Sequence, residues 1–360
     1  MIDRETRIDK SIACLQLGAI GDALGAPVEF MSHEAIVNKY GELGLRHLES
    51  AYGQLGPITD DTQMTLANAD GLITAYKRGA DRGILGSYDN YTTLSYIRWY
   101  QTQNRTNPNY ADLDWWGSSE LYEIMSQQGQ RAPGNTCLSS LHSMKSPCEP
   151  AQNNSKGCGT VMRVAPTGIF HGNLHDALDD QSLRFIFNEA SADAAITHGG
   201  ETAKHGSGLL AAIIALSLHG EDTVSAVERA TSMFPVGSRM PYDIYKRAID
   251  LVDDQPSVDK LQSIGEGWLA EEALAISIYC GMLCSKQILS VSDALSLAIN
   301  HNGDSDSTGA ITGNIIGIEQ GSSSIPKEFL DPNSEVGELM PLIADYGRNL
   351  ITVKEYQPRS

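Results

Sequence analysis

Long apolar segments with a helical repeat are the feature that most constrains the fold of this chain. Ile8, Ile12 and Leu15 recur at spacings of three and four, which places them on one face of a helix. Helices are predicted at residues 8–24, 61–78, 182–197, 201–219, 270–285, 290–300 and 307–320. Clear alternation of apolar and polar residues between turn signals, the pattern of a strand, is missing from the sequence. The sequence therefore predicts an all-α fold.

The chain length and its connecting segments predict one domain. The 360 residues suffice for one large domain or two domains of average size. Because no segment resembles a domain linker, we predict a single compact multi-helix domain spanning residues 1–360. Connections rich in Gly, Pro and Asn fall at residues 41–58, 104–109, 129–135 and 146–160. The last two are candidates for functional loops, since loops on a rigid scaffold often carry function.

Composition narrows the range of partners. No run of about 18 apolar residues occurs, so we expect no membrane span. The N-terminus lacks the apolar core of a signal peptide, which favours a cytoplasmic protein. The formal net charge of −19 argues against nonspecific binding to nucleic acid and is compatible with binding of divalent cations. The six cysteines form no CxxC pair and no zinc spacing, so we expect free and buried thiols.

The segment ITDDTQMTL, residues 58–66, places two adjacent carboxylates at the start of a predicted helix. Thr59 or Asp60 can act as the N-cap, and acids in the first turn are favoured by the helix dipole. Two adjacent acids followed by a threonine exceed what a cap needs, although the cap alone is a sufficient explanation of this segment taken by itself.

The segment HNGDSDSTGA, residues 301–310, repeats this arrangement, and Asp304 or Asp306 can cap the helix that follows. Two carboxylates held close together repel each other and are costly to desolvate unless a cation lies between them. If the N-termini of the two helices meet, they offer an all-oxygen ligand set: Thr59, Asp60, Asp61, Asp304, Asp306 and Ser307. Such a set suits hard cations such as Mg²⁺ or Mn²⁺, and four carboxylates suit a pair of them.

A third element, LGAIGDALGAPVEF, spans residues 17–30. Its glycines allow a backbone or a ligand to approach closely: Gly18, Gly21 and Gly25. Asp22 is an acid inside an apolar helix, and such a residue is usually satisfied by a buried hydrogen bond. Glu29 follows in a loop from which it could reach a site.

Taken in order, five motifs of the chain resemble those of the ADP-ribosylglycohydrolases, which include the dinitrogenase reductase-activating glycohydrolases. The motifs are GDALGAPVE at 21–29, TDDT at 59–62, GCGTVMRVAPTG at 157–168, THGG at 197–200 and GDSDSTGAITG at 303–313. The resemblance covers nearly the whole chain. It implies an all-helical fold with a dinuclear Mg²⁺ or Mn²⁺ centre at helix N-termini. It also implies hydrolysis of the glycosidic bond between ADP-ribose and a protein side chain, with arginine as the favoured acceptor.

The resemblance further implies roles for individual residues. One cation would be held by Thr59, Asp60, Asp61 and Asp306, and the other by Asp304, Asp306 and Ser307, with Asp60 able to contribute. Proton transfer would fall to Glu29, Asp60 or Asp304, between which the sequence does not choose.

The resemblance assigns ADP-ribose contacts to three places in the chain. They comprise Gly134 and Asn135, then Ser155, Gly157, Cys158 and Gly159 as a loop that holds phosphates through backbone amides, and finally His198. This loop differs from the family motif at one position, because the motif usually reads GNG and this chain has GCG. A cysteine cannot replace the side-chain amide donor of asparagine, whereas backbone donation survives the change.

Three alternatives remain open at this level. The chain could hydrolyse another small molecule that contains phosphate, such as O-acyl-ADP-ribose. It could be a binding protein that has kept the fold, although the intact metal motifs argue against that. It could also serve as an immunity factor against an ADP-ribosylating toxin, with the polar and aromatic segment 104–117 as the surface that contacts the partner. We expect a monomer.

Overall fold

The computed structural model describes residues 2–84, 86–111, 119–147, 149–236 and 243–358. Its α-helices, in chain order, are α1 (Arg4–Gly25), α2 (His33–Tyr40), α3 (Asp60–Arg82), α4 (Tyr88–Thr102), α5 (Ser119–Gln128), α6 (Asn135–Ser143), α7 (Ala165–Leu174), α8 (Asp180–Ala195), α9 (Glu201–Leu218), α10 (Thr223–Met233), α11 (Ile244–Asp250), α12 (Val258–Gln262), α13 (Ala270–Ser285), α14 (Val291–Ile299), α15 (Ser305–Gln320) and α16 (Glu335–Thr352). Short 3₁₀ segments include Pro108–Tyr110 and Cys158–Arg163.

The predicted all-α fold is confirmed, and each of the seven predicted helices is present with ends shifted by a few residues. One small antiparallel hairpin, β1 (Ser50–Ala51) and β2 (Gln54–Leu55), lies in the predicted connection 41–58. Its strands are too short to show an alternating pattern. Helix α16 was not predicted, and it contains Pro341, a residue that normally argues against a helix interior. The prediction of a single domain over residues 1–360 stays a prediction.

Helices α1 and α15 pack against each other in antiparallel directions at the centre of the fold. A Cβ atom added at Gly21 would lie 2.0 Å from the carbonyl oxygen of Gly309, and one added at Gly313 would lie 2.0 Å from the carbonyl oxygen of Leu17. The two backbones therefore touch directly, and only glycine fits at these positions. This contact brings the end of α1 beside the start of α15.

Replacing Gly313 by alanine should destabilise the protein by about 1–3 kcal/mol or more, because the added methyl group would overlap a backbone carbonyl that cannot move independently. Gly206, in the interior of α9, is the matched control, because its added Cβ would meet nothing closer than 3.4 Å. Gly206→Ala should be neutral or stabilising by up to about 1 kcal/mol, as expected from helix propensity. Urea denaturation of both variants measures the difference, and equal stabilities would contradict the close-packing argument.

Two further expectations can be compared with the structure. Five cysteines carry free thiols, four of them buried and Cys158 partly exposed, while Cys148 lies outside the described residues. Within the described part of the chain, no helix is long and apolar enough to cross a membrane.

Candidate metal centre and cleft

The two acidic clusters predicted from the sequence meet in one cleft of about 530 Å³. The N-terminus of α3 contributes Asp60 and Asp61, and the turn before α15 with its first residues contributes Asp304 and Asp306. Glu29 reaches the same cleft from the turn that follows α1. Residues far apart in the sequence are therefore gathered by the contact between α1 and α15 and by the position of α3.

Glu29, Asp304 and Asp306 form the tightest group of carboxylates. Each offers an oxygen atom within 4.8 Å of the other two, and all three residues are buried. Burial, together with Asp306 and Asp304, raises the pKa of Glu29 to about 11. Burial and neighbouring acids also raise the pKa of Asp306 to about 7. These shifts express the cost of holding like charges together out of water, a cost that a bound cation would offset.

Asp60 and Asp61 extend the group on the side of α3. Burial raises the pKa of both carboxyls well above its ordinary value. One oxygen of Asp60 accepts a hydrogen bond from the backbone N–H of Gly134 at 3.2 Å. Oδ1 of Asp61 and Oε2 of Glu29 are buried and have no hydrogen-bond partner among the described residues. Buried polar atoms normally have partners, so these orphaned oxygens fit a divalent cation with hard oxygen ligands.

Asp22 fixes the start of α3 from the neighbouring helix α1. Its buried carboxylate accepts hydrogen bonds from the backbone N–H of Thr59 at 3.0 Å and from the Thr59 hydroxyl at 2.8 Å. It also accepts from the backbone N–H and the hydroxyl of Thr62 at 3.1 and 2.5 Å. The expected buried hydrogen bond of Asp22 is thus confirmed, and its consequence is to position the acidic cluster. Burial raises the pKa of Asp22 to about 6 even though these donors favour the charged form.

Thr59 and Asp304 are the N-caps of the two acidic helices. The Thr59 hydroxyl accepts from the backbone N–H of Asp61 at 3.3 Å, and Asp304 accepts from that of Ser307 at 3.3 Å. The Ser307 hydroxyl lines the cleft and contacts the sulfur of Met162 at 3.8 Å. Thr308 faces away, with its hydroxyl donating to the carbonyl of Ala298 at 2.7 Å, so its role is packing and capping.

The turn before α15 depends on Gly303. Its φ of +112° lies in the region that favours glycine, and an added Cβ would lie 2.0 Å from the carbonyl oxygen of Glu266. The backbone N–H of Asp304 donates to the same carbonyl at 2.9 Å. The turn therefore carries Asp304 into the cleft with little freedom to move.

The glycine loop at 157–159 forms another wall of the cleft and rests on buried groups. Arg163 donates to the carbonyl of Gly159 at 3.1 Å and pairs with Asp193 at 3.3 Å. His198 packs against the loop and lines the cleft, and an added Cβ at Gly157 would come within 3.2 Å of its Nε2. Burial, with a smaller effect from Arg163, lowers the pKa of His198 to about 3, so the imidazole is neutral. His198 therefore supports the wall as an uncharged side chain.

The backbone amide of Cys158 is already hydrogen-bonded within the protein. The backbone N–H of Cys158 donates to the carbonyl of Trp268 at 3.1 Å, and that of Gly157 lies 3.5 Å from the Ser155 hydroxyl. The predicted phosphate contact through the Cys158 amide is therefore in competition with a bond inside the protein. The Cys158 side chain lines the cleft, with its sulfur 2.6 Å from Oδ2 of Asp304.

The remaining predicted contact residues divide into two groups. Gly134 and Asn135 are exposed and line the cleft at the start of α6. Ser155, a predicted ADP-ribose contact, does not belong to the lining, and its hydroxyl shares a hydrogen bond with that of Thr136 at 3.1 Å. Thr59, a predicted cation ligand, does not line the cleft either. The roles assigned to all these residues stay predictions.

An aromatic pair at the cleft was missed in the sequence. Phe30 and Trp268 stack with ring centroids 6.1 Å apart and an angle of 18° between their planes. They are 74% and 38% exposed, and both line the cleft. Phe30 directly follows the predicted residue Glu29, which is the one local signal that could have drawn attention to it.

Comparisons with known proteins agree with this architecture. The sequence profile of the family described as ADP-ribosylglycohydrolase matches residues 3–358. A protein of Pseudomonas putida (strain GB-1), named ADP-ribosylarginine hydrolase Tri1, is 25% identical over 344 residues, which cover 91% of this chain and 75% of the relative. A protein of the same name from Serratia proteamaculans (strain 568) is 27% identical over 337 residues, covering 92% of this chain and 77% of the relative.

A solved structure described as an ADP-ribosylglycohydrolase-related protein complex superposes with a TM-score of 0.62. The two chains are 21% identical, and the match covers 97% of this chain and 99% of the other. This likeness shows a common fold.

Proposed function

Because this chain belongs to the ADP-ribosylglycohydrolase family and is a glycosidic hydrolase, we propose that it removes ADP-ribose from modified arginine side chains with the help of bound divalent cations. The observation that carries the proposal is the buried acidic group in the cleft, with orphaned oxygens on Glu29 and Asp61. The cleft volume lies within the usual range for small-molecule sites. The names of the two relatives support arginine as the acceptor.

The reaction breaks the bond between the anomeric carbon and a guanidine nitrogen, and a water oxygen takes the place of that nitrogen. Asp60, Asp61, Asp304 and Asp306 would hold the cations, which when bound would supply Lewis-acid activation of the attacking water. The oxocarbenium-like transition state carries positive charge, which the surrounding carboxylates stabilise. The departing guanidine must gain a proton.

Glu29 is our choice for proton transfer among the three candidates. One oxygen of Asp60 is bound by the Gly134 amide, and one oxygen of Asp304 is bound by the Cys158 thiol. Glu29 lies outside both cation ligand sets that the family resemblance implies, and burial together with Asp306 and Asp304 raises its pKa to about 11, so its carboxyl can hold a proton for the departing guanidine.

The chemistry at the opening of the cleft suits a guanidinium group. Phe30 and Trp268 present partly exposed aromatic rings beside Glu29. A guanidinium stacks well on aromatic faces and pairs with carboxylates, so this side of the cleft is our candidate for the arginine.

Release of free ADP-ribose from arginine-modified and serine-modified proteins tests the proposal directly. We expect hydrolysis of the arginine substrate with Mg²⁺ or Mn²⁺, its loss after EDTA treatment, and recovery when the metal returns. Metal removal should also lower the melting temperature, because a ligand bound only by the folded state stabilises that state. Faster release from serine would contradict the arginine assignment, and full activity in metal-free protein would contradict the metal requirement.

The identity of the product distinguishes the proposed glycohydrolase from a phosphatase, which would use the same cations but release inorganic phosphate.

Binding to an ADP-ribosyltransferase toxin stays a prediction. Of the segment 104–117 to which it was assigned, residues 112–117 lie outside the described residues.

A further inference from the structure

The thiol of Cys158 lies against the carboxylate cluster in the cleft. Its Sγ atom lies 2.6 Å from Oδ2 of Asp304, a member of the trio with Glu29 and Asp306. The resemblance to the family assigns this position only a contact to phosphate through the backbone, and the Cys158 amide is already bound to Trp268. A backbone contact therefore does not explain why the side chain of Cys158 lies against Asp304.

We propose that the Cys158 thiolate is a direct ligand of the cation site, which adds one soft sulfur donor to an otherwise all-oxygen centre. The consequence is a raised preference for borderline and soft cations such as Zn²⁺, Co²⁺ and Cd²⁺ over Mg²⁺. The proposal rests on the metal site of the proposed function but is independent of the arginine acceptor.

A second observation supports a cation site in the same cleft as this sulfur. Oε2 of Glu29 and Oδ1 of Asp61 are buried without hydrogen-bond partners in the described structure, in residues that are 6% and 3% exposed. Both residues line the same cleft as Cys158. The thiol thus shares its cleft with carboxylate oxygens whose lone pairs meet no protein donor among the described residues.

The backbone holds Cys158 firmly in this position. On one side its N–H donates to the Trp268 carbonyl, and the N–H of Ala270 donates to the carbonyl of Lys156 at 2.9 Å. On the other side Arg163 holds the carbonyl of Gly159. A donor that is fixed before the cation arrives loses little conformational freedom on binding, which favours coordination.

The binding step balances without any redox partner. The S–H bond breaks, a sulfur–metal bond forms with the electron pair of that bond, and the proton passes to solvent. The competing interpretation is that the thiol stays protonated and only donates a hydrogen bond to Asp304. The two interpretations differ in the spectrum of the metal complex.

The neighbouring Cys137 provides a matched control. It lines the same cleft, but its sulfur lies 3.7 Å from Nη1 of Arg163 and 3.8 Å from the carbonyl oxygen of Gly159. That sulfur is therefore committed to the protein and is not expected to bind a cation.

Anaerobic titration of the reduced, metal-free protein with Co²⁺ tests the proposal. We expect a thiolate-to-cobalt charge-transfer band in the near ultraviolet for the wild type and for Cys137→Ser, and its loss in Cys158→Ser and Cys158→Asn. Calorimetric titrations should show that the affinity for Zn²⁺ relative to that for Mg²⁺ falls by roughly tenfold or more in Cys158→Ser. Even the loss of a residue that only hydrogen-bonds to a metal ligand lowers metal affinity by that much.

Cobalt bound by the wild type without this band would overturn the proposal, as would a band that persists in Cys158→Ser, or no cobalt binding at all. The hydrolysis assay with Mg²⁺ keeps the two questions apart. Release of ADP-ribose from arginine without a cobalt–sulfur band refutes only the ligand role of Cys158, whereas a band without hydrolysis refutes only the proposed function.

Discussion

Replacing Asp306 by alanine is expected to lower the rate of ADP-ribose release by roughly a hundredfold to a thousandfold or more. Asp306 belongs to the tightest group of carboxylates, and its removal takes away a ligand that both cations would share. Metal analysis of the purified variant should show a loss of bound Mg²⁺ or Mn²⁺ alongside the loss of activity. Asp306→Asn, which keeps the shape and removes the charge, should behave in the same way.

In the metal-free protein, by contrast, the Asp306→Asn substitution should raise thermal stability. Removing one of several buried like charges relieves repulsion, so metal-free Asp306→Asn should melt at a higher temperature than the metal-free wild type. The control is Asp253→Ala, which removes an acid whose side chain is 83% exposed and should change neither property. Wild-type activity and metal content in Asp306→Ala would refute the assignment of the cation site.

Replacing Asp22 by alanine should destabilise the protein by about 2–4 kcal/mol, because the buried N–H and hydroxyl groups of Thr59 and Thr62 would lose their acceptor. The start of α3 would then be held less firmly, and the affinity for divalent cations should fall as well. Urea denaturation measures the first effect and calorimetric titration with Mn²⁺ the second.

Two comparisons make the Asp22 result specific. Asp250→Ala removes an exposed surface acid paired with Lys246 and should cost less than about 1 kcal/mol. Asp22→Asn keeps one carbonyl oxygen but turns an amide group toward the threonine donors, so an intermediate loss is expected. A variant that is destabilised yet binds Mn²⁺ with unchanged affinity would reduce Asp22 to a stabilising residue with no positioning role.

The sequence was informative where the signal is local. Helical spacing predicted α1, α3 and five other helices, because the period of apolar residues follows from the geometry of a single element. Each cap was predicted as one of two neighbouring candidates, which include the observed Thr59 and Asp304, since a cap involves residues two or three positions apart.

The short hairpin, helix α16 and the rim of the cleft could not be predicted from the sequence. The hairpin at residues 50–55 is too short for a pattern, and α16 contains a proline that obscures it. Phe30 and Trp268 are separated by most of the chain, and no spacing connects two single aromatic residues.

By itself, the sequence determined the all-α class, the two oxygen-rich helix starts and the order of motifs that marks the family. Only the tertiary structure decided that Asp22 holds Thr59 across 37 positions and that Cys158 meets Asp304 across 146. The reason is that local periodicity fixes which face of a helix is buried but not which helix will cover it. Here the glycine contact between α1 and α15 makes that choice, and the cleft follows from it.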